Sequence, residues 1–287
     1  MRNSALRYAP HLGYMSPTPL FARSVGSDDP HAQARFASEH GFSGLFHPWV
    51  GSRSPEEIAR FKESLETFGL QAGTIAYASY EEIVAPRWVS RRTEDREVLL
   101  RNVESSARLA RDLGAETLAV LIASNDEDGK LTQMANVREN LSYAADVAER
   151  YQVVLGIEPL VALPGMLFQS TYTAAEVIDL VNHPAVRLIF DTGHVASMDG
   201  SVLDVQASVE RLVCVYQLAD MPGRTEPGTG ELDFPAFLSR LINSGYRGLV
   251  ELEHGWTSDT AETEAAGIAL LEQIDKEAAR LARGQAG

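Results

Sequence analysis

The sequence is poor in cysteine, in positive charge and in long apolar runs, and each shortage excludes a class of protein. Its 287 residues include one cysteine, Cys214, so no internal disulfide can form and we expect a reducing, cytoplasmic compartment. No apolar run approaches the roughly eighteen residues that a membrane helix needs. The segment from Met1 to Pro10 contains two arginines and no apolar stretch, so we expect no secretory signal.

The charge balance argues against nucleic acid and anionic membranes as partners. Lys and Arg number 25 against 40 Asp and Glu, which gives a net charge of -15. Affinity for a phosphate backbone comes mainly from Lys and Arg, so we expect neither partner unless a local basic groove overrides the average charge. A chain of this length can bury a large core, and no linker or low-complexity tract divides it. We therefore expect a single domain over residues 1–287.

A strand–helix unit recurs along the chain, and the helix boundaries reveal it. The run Ser54-Pro55-Glu56-Glu57 combines an N-cap, a proline at the first helical position and a capping-box glutamate. Gly69 ends that helix, since glycine adopts the left-handed conformation freely, and an apolar stretch follows at once. The same order predicts eight strands, at 6–14, 42–46, 70–77, 117–122, 153–157, 186–190, 212–218 and 248–252.

These predicted strands are continuously apolar, which is typical of parallel strands buried on both faces. Eight βα units in fewer than 300 residues predict an α/β fold, a single (β/α)8 TIM barrel. A doubly wound open sheet is the alternative. It is disfavoured because no GxGxxG sequence follows an early strand.

Oxygen-bearing side chains stand at or near the ends of four successive predicted strands: Glu158, Asp191, Gln217 and Glu253. The carboxyl ends of barrel strands carry the chemistry of this fold. Three carboxylates converging there would repel one another without a cation between them. Oxygen ligands favour a hard divalent ion, Mg²⁺ or Mn²⁺, over zinc. We prefer Glu253 to Glu251 because both face the same way and Glu253 lies nearer the strand's carboxyl end.

Each of these residues has a structural alternative, a helix cap or a salt-bridge partner, which four consecutive occurrences disfavour. His194 fits a loop histidine as well as a substrate contact. Arg224, in the Gly- and Pro-rich loop 221–231, suits an oxygen-rich anion, although a plain surface turn is the alternative. Arg87-Trp88 is a candidate lid element, and Cys214 is expected in the core.

The loop after the seventh predicted strand carries a family resemblance. Residues 217–231 read QLADMPGRTEPGTGE, which is similar almost position for position to the QIAD-x-P-x-R-x-EPGTGEI signature of hydroxypyruvate isomerases and 2-oxo-tetronate isomerases. These enzymes belong to the xylose isomerase-like barrel superfamily. Ile157-Glu158-Pro159, Asp191-x-x-His194 and Gly245-Tyr246-x-Gly248-x-Val250-x-x-Glu253 support the resemblance, which extends from about residue 95 onward and covers the first third thinly.

The resemblance implies a metal-dependent aldose–ketose isomerase that acts through an enediolate on a short hydroxy-oxo acid or small sugar. It implies a divalent Mg²⁺ or Mn²⁺ ion held by Glu158, Asp191, Gln217 and Glu253, with Glu158 and Glu253 also acting as the acid/base pair. It further implies substrate contacts from His194, Arg224 and Glu226. Barrels of this kind often form homo-oligomers through their outer helices, but the sequence leaves the oligomeric state open.

Two positions depart from the group and keep other reactions open. The group usually has a glutamate after the second strand, where this chain has Phe46-His47, and a histidine ending the third, where it has Thr74 and Ala76. A C3 ketose epimerase or an enolate-forming decarboxylase would use the same scaffold. Gln217 favours the isomerase, since the epimerases usually have histidine there.

Two further alternatives fit the sequence less well. An apurinic endonuclease would need more histidines at strand ends and a basic DNA track, which a net charge of -15 disfavours. A sugar-binding barrel without catalysis gives no reason for two glutamates at the predicted site.

Overall fold

The computed structural model describes residues 1–160 and 163–285. Within this part of the chain the helices and strands alternate, and none of the helices has the length and apolar character needed to cross a membrane. The strands are β1 (Arg7–Pro10), β2 (Gly44–Leu45), β3 (Gln71–Ala72), β4 (Ile75–Ala76), β5 (Thr117–Val120), β6 (Val154–Ile157), β7 (Val186–Asp191), β8 (Val213–Leu218) and β9 (Leu249–Leu252). The helices are α1 (Ala22–Val25), α2 (Pro30–Glu39), α3 (Pro55–Phe68), α4 (Tyr80–Ile83), α5 (Thr93–Leu113), α6 (Lys130–Arg150), α7 (Thr171–Val181), α8 (Thr192–Met198), α9 (Val202–Val209), α10 (Phe234–Asn243) and α11 (Ala261–Gln285).

Seven of these strands form one curled parallel sheet in the order β1-β9-β8-β7-β6-β5-β4, while β2 and β3 form a separate parallel pair. Each of the eight predicted stretches contains strand. The predicted closed ladder of eight strands is borne out only in part, because the continuous sheet has seven. Beyond β1 and β2 a single parallel bridge joins His11 to Phe46.

The third predicted strand is interrupted, and a side chain from across the sheet bonds to its backbone at the break. It divides into β3 and β4 at Gly73 and Thr74. The backbone N–H of Thr74 donates to the Glu251 carboxylate at 2.6 Å instead of joining a strand ladder. A Cβ on residue 73 would lie 2.7 Å from Glu251 Oε1, so a larger residue there would have to displace the Glu251 carboxylate.

The local signals at the predicted helix boundaries are confirmed where they are strongest. Ser54 and Glu57 form the reciprocal capping box at the start of α3, and Gly69 ends that helix with a left-handed φ of 64°. The apolar face of α5, which runs from Leu99 to Leu113, is buried on the side toward the sheet. Such packing of an apolar helical stripe is what holds the helices onto a parallel sheet.

The connection after β4 packs into the core, so its prediction as a lid was wrong. Trp88 is fully buried, with its ring 5.4 Å from that of Tyr77. Arg87 forms ion pairs with Glu82 and Asp95. Burying the apolar indole in the core stabilises the fold more than leaving it at the solvent-exposed end of the barrel would.

Candidate active site

Three carboxylates and one imidazole meet at the carboxyl ends of the sheet strands. Glu158 follows β6, Asp191 ends β7 and Glu253 follows β9. One ligand atom from each of these residues and one from His194 all lie within 4.8 Å of one another. All four side chains are buried. The convergence follows from the parallel arrangement, because the carboxyl ends of neighbouring strands lie at the same edge of the sheet.

Asp191 positions His194 by beginning the short helix α8. Its Oδ1 accepts a hydrogen bond from the His194 backbone N–H at 2.7 Å, which is the usual N-cap contact. The turn places His194 Nε2 at 3.6 Å from Glu158 Oε1. From the sequence, His194 fitted either a loop histidine or a substrate contact. The structure places it beside the carboxylates.

Arg224 supplies the positive charge within this cluster. Its guanidinium donates to both oxygens of Asp191 at 3.0 Å and to Glu253 Oε1 at 2.9 Å. Its guanidinium carbon, Cζ, lies 5.6 Å from the centre of the Tyr14 ring. Gly193 makes room for it, since a Cβ there would lie 2.7 Å from Nη1. The structure therefore places Arg224 beside the carboxylate cluster, paired with its acidic side chains, and its contact with substrate stays a prediction.

The loop that carries Arg224 is organised by Asp220, which the sequence reasoning did not single out. Both oxygens of this fully buried carboxylate accept backbone N–H bonds of 2.8 to 3.1 Å, from residues 221, 228, 230 and 232. Gly230 has no space for a Cβ against the Met221 carbonyl. An aspartate followed by a glycine-rich loop was the available signal, because glycine N–H groups can approach a buried carboxylate closely.

Glu226 ties the same loop to the segment after β9. Its two oxygens accept from the backbone N–H of Thr257 at 2.9 Å and from the Thr257 hydroxyl at 2.7 Å. Its contact with substrate stays a prediction.

Gln217 lies on β8 between two strands that each carry an acidic residue, and one of its polar atoms has no hydrogen-bond partner. In the strand register it is paired with Asp191 on β7 and with Glu251 on β9. Its Nε2 donates to Glu251 Oε2 at 3.1 Å. Its Oε1 is buried and accepts no hydrogen bond. A buried carbonyl oxygen without a donor costs free energy unless a ligand completes it.

The carboxyl groups of the cluster differ in their ease of ionisation. Burial, reinforced by the charge of Asp191, raises the pKa of Glu158 to about 8. Burial also raises the pKa of Glu253, and the charge of Glu158 adds to the effect. Burial opposes the ionisation of Asp191 as well, but Arg224 outweighs it and the pKa of that carboxyl falls below its usual value. Such separated pKa values are typical of acid/base sites.

The donor set fits a divalent cation. Three buried carboxylates provide the hard oxygen ligands that such ions prefer. The orphaned Gln217 Oε1 is the kind of neutral oxygen that completes a ligand sphere. His194, whose pKa is lowered by burial, offers a neutral nitrogen in the same group. Of the predicted ligands, the structure brings Glu158, Asp191 and Glu253 together and places Gln217 beside Asp191.

Known proteins share this architecture and parts of this sequence. The family described as xylose isomerase-like TIM barrel matches residues 34–274. A putative hydroxypyruvate isomerase of Streptomyces coelicolor is 32% identical over 234 residues, which cover 76% of this chain and 82% of that protein. A 2-oxo-tetronate isomerase of Pectobacterium atrosepticum is 28% identical over 177 residues, which cover 60% and 67% respectively.

Solved structures of sugar epimerases have the same fold. An L-ribulose 3-epimerase superimposes with a TM-score of 0.78 at 17% identity, over 98% of each chain. The 3-keto-D-glucoside 4-epimerase of E. coli superimposes with a TM-score of 0.75 at 18% identity, over 94% of this chain and 99% of that one. At this level of identity the likeness concerns the fold alone.

Proposed function

This chain belongs to the xylose isomerase-like TIM barrel family and is an isomerase, and from this premise we propose that it interconverts the aldose and ketose forms of a short hydroxy-oxo acid or small sugar. The relatives named putative hydroxypyruvate isomerase and 2-oxo-tetronate isomerase support this substrate class. The observation that carries the proposal is the buried cluster of Glu158, Asp191 and Glu253, with an unpartnered Gln217 oxygen on the neighbouring strand.

In this proposal Glu158, Asp191, Gln217 and Glu253 hold Mg²⁺ or Mn²⁺. The chemistry supplied by a bound divalent cation is polarisation of the substrate's carbonyl group, which acidifies the adjacent C–H bond. Arg224 keeps Asp191 ionised through two hydrogen bonds. Asp191 is therefore suited to ligation, whereas the two glutamates retain access to both protonation states.

Glu158 and Glu253 act as the acid/base pair. One carboxylate removes a proton from the carbon beside the carbonyl, which leaves an enediolate. Return of the proton to the former carbonyl carbon, together with transfer of the hydroxyl proton to the former carbonyl oxygen, completes the conversion. A raised pKa favours such a role, because a group that titrates near the working pH both takes up and releases protons. The pKa of Glu158, about 8, lies in that range.

His194, Arg224 and Glu226 are the proposed substrate contacts. The guanidinium of Arg224 matches a terminal carboxylate in shape and charge, which favours a short oxo-acid over a neutral hexose. His194 has its Nε2 beside Glu158 and, as a neutral ring, can hydrogen bond to a substrate oxygen.

A C3 epimerase is the second candidate, and the placement of the two glutamates favours it. They follow β6 and β9, which are separated by two strands in the sheet, so they can flank one carbon from opposite faces. Gln217 argues for the isomerase instead, on the resemblance described above. The two reactions differ in where the returning proton goes.

Proton exchange followed by NMR in D₂O tests the proposal. Metal-stripped protein is mixed with hydroxypyruvate first, and then with oxo-tetronates, tetroses and ketohexoses, before and after Mg²⁺ is added. We expect metal-dependent entry of deuterium into one compound, and the identity of the product separates isomerase from epimerase. Protein that binds the ion but exchanges no proton in any of these compounds would contradict the proposed substrate class.

A further inference from the structure

Glu251 is a buried acidic residue that the proposed chemistry does not use. It lies on β9 one pleat below Glu253 and is 1% exposed. Its Oε1 accepts from the Thr74 backbone N–H at 2.6 Å and its Oε2 accepts from Gln217 Nε2 at 3.1 Å. The break between β3 and β4 and the missing side chain of Gly73 both make room for this carboxylate.

These two bonds determine which way the Gln217 amide faces. Glu251 accepts from Gln217 Nε2 through Oε2, so the amide turns its NH₂ group toward Glu251. The amide oxygen is then directed away from Glu251, and this oxygen is the buried atom that lacks a donor. The two orientations of a glutamine amide differ only by exchange of O and N, so a neighbouring hydrogen-bond partner is needed to favour one of them.

We infer that Glu251 is a positioning residue that holds the Gln217 amide with its carbonyl oxygen free to ligate a cation. The inference rests on the proposed function, because it takes a divalent ion as the ligand of that oxygen. Partners that orient metal ligands in this way commonly change metal affinity by about 10- to 100-fold when they are replaced.

The substitution Glu251→Gln gives a specific prediction because Thr74 constrains it. The Thr74 N–H needs an acceptor, so the new amide must place its oxygen there and its NH₂ group toward Gln217. Gln217 must then rotate to accept that bond, which turns its own NH₂ group toward the cation position. We therefore expect Glu251→Gln to weaken Mn²⁺ binding by about 10- to 100-fold, although shape and volume are preserved.

Exchanging the two residues should restore the arrangement. In the double variant Gln217→Glu with Glu251→Gln, the new amide at position 251 donates to one oxygen of the new carboxylate at position 217. The other carboxylate oxygen then faces the cation position. We expect this variant to bind Mn²⁺ much more tightly than Glu251→Gln alone, because a carboxylate presents an oxygen to the cation in either orientation.

The measurement is the Mn²⁺ affinity of metal-stripped protein, by calorimetry and by electron paramagnetic resonance, with circular dichroism as the check on folding. Glu264→Gln is the matched control. Glu264 is also 1% exposed and accepts two backbone N–H bonds, from Arg23 and Ser24. It contacts neither Gln217 nor the carboxylate cluster through these bonds, so its variant should keep the wild-type affinity.

Two results would overturn the inference: a folded Glu251→Gln variant that binds Mn²⁺ like the wild type, or an exchange variant that binds as weakly as Glu251→Gln. A wild-type protein that binds Mn²⁺ but exchanges no substrate proton would refute the proposed function and leave the inference standing.

The side-chain amide of Gln217 provides a readout without metal and without any folded variant at position 251. Its ¹⁵N signals, assigned by their loss in Gln217→Leu, should show protons protected from exchange in the wild type, because Nε2 donates to a buried carboxylate. Unprotected amide protons would overturn the inference even if the wild type binds no Mn²⁺.

Discussion

Removal of the Arg224 guanidinium tests whether this side chain takes the place of a cation in the carboxylate cluster. Arg224→Met keeps much of the aliphatic chain and deletes three charged hydrogen bonds, two to Asp191 and one to Glu253. The Arg224 side chain is 19% exposed and that of Asp191 is 0% exposed. The variant therefore leaves acidic groups in the interior without their counter-charge.

The expected loss is large in the absence of metal. Breaking a buried ion pair by removing one partner costs about 3–5 kcal/mol. The lower end applies here, because the carboxyl groups can take up a proton, as the raised pKa values of Glu158 and Glu253 indicate. We expect a loss of about 3 kcal/mol in the free energy of unfolding, or about 6 °C in Tm for a chain of this size.

Urea unfolding in EDTA and in saturating Mn²⁺ provides the assay. Mn²⁺ should stabilise Arg224→Met more than the wild type, because in the variant the ion no longer competes with a guanidinium for Asp191 and Glu253. Arg60→Met is the control, since Arg60 also makes two bonds to one carboxylate, that of Asp29, but at an exposed position. We expect a much smaller loss there. Equal losses in the two variants, or a loss in Arg224→Met that Mn²⁺ leaves unchanged, would refute the reasoning.

Three further predictions concern the acid/base pair, the loop and a buried histidine. Glu253→Gln should abolish turnover with circular dichroism unchanged, and turnover by the folded variant would contradict its acid/base role. Asp220→Ala leaves four backbone N–H groups without an acceptor, so steady-state kinetics should show KM rising more than kcat falls, because this loop carries Arg224. His11 accepts from the Gly13 N–H through Nδ1, and burial lowers its pKa from 6.5 to about 3. Between about pH 6.5 and pH 3 the unfolded chain therefore binds more protons, and stability falls as the pH falls, by up to about 1.4 kcal/mol per pH unit for this residue. His11→Asn should flatten this part of the urea-midpoint profile, and an unchanged slope would contradict the assignment.

The positions of the strands could be predicted from the sequence because their boundaries are local. A capping box at Ser54 and a left-handed glycine at Gly69 depend on residues within one helix. The incomplete strand ladder could not be predicted, because it depends on residues far apart in the chain. The N–H of Thr74 bonds to a side chain 177 positions later, and no pattern around residues 70–77 signals that contact.

The convergence of Glu158, Asp191 and Glu253 follows from a rule about strand ends, and the sequence was sufficient for it. The pairing of Arg224 was not predictable, because its loop closes back onto Asp191 through a set of bonds centred on Asp220 rather than through any periodic pattern. The guanidinium was expected to meet an anion, and in this structure the anions are the chain's own carboxylates.

Strand periodicity alone does not distinguish the surroundings of Glu251 from those of Glu253. Residues two apart on a strand face the same way, so the alternation that places Glu253 among the carboxylates also places Glu251 inside the sheet. What separates their roles is the set of donors that each one meets. Glu253 meets a guanidinium beside two other carboxyl groups, whereas Glu251 meets one backbone N–H and one amide NH₂. Those donors exist only because β3 and β4 are interrupted and because Gln217 lies on the adjacent strand. The different roles that we propose for Glu253 and Glu251 therefore depend on the assembled sheet.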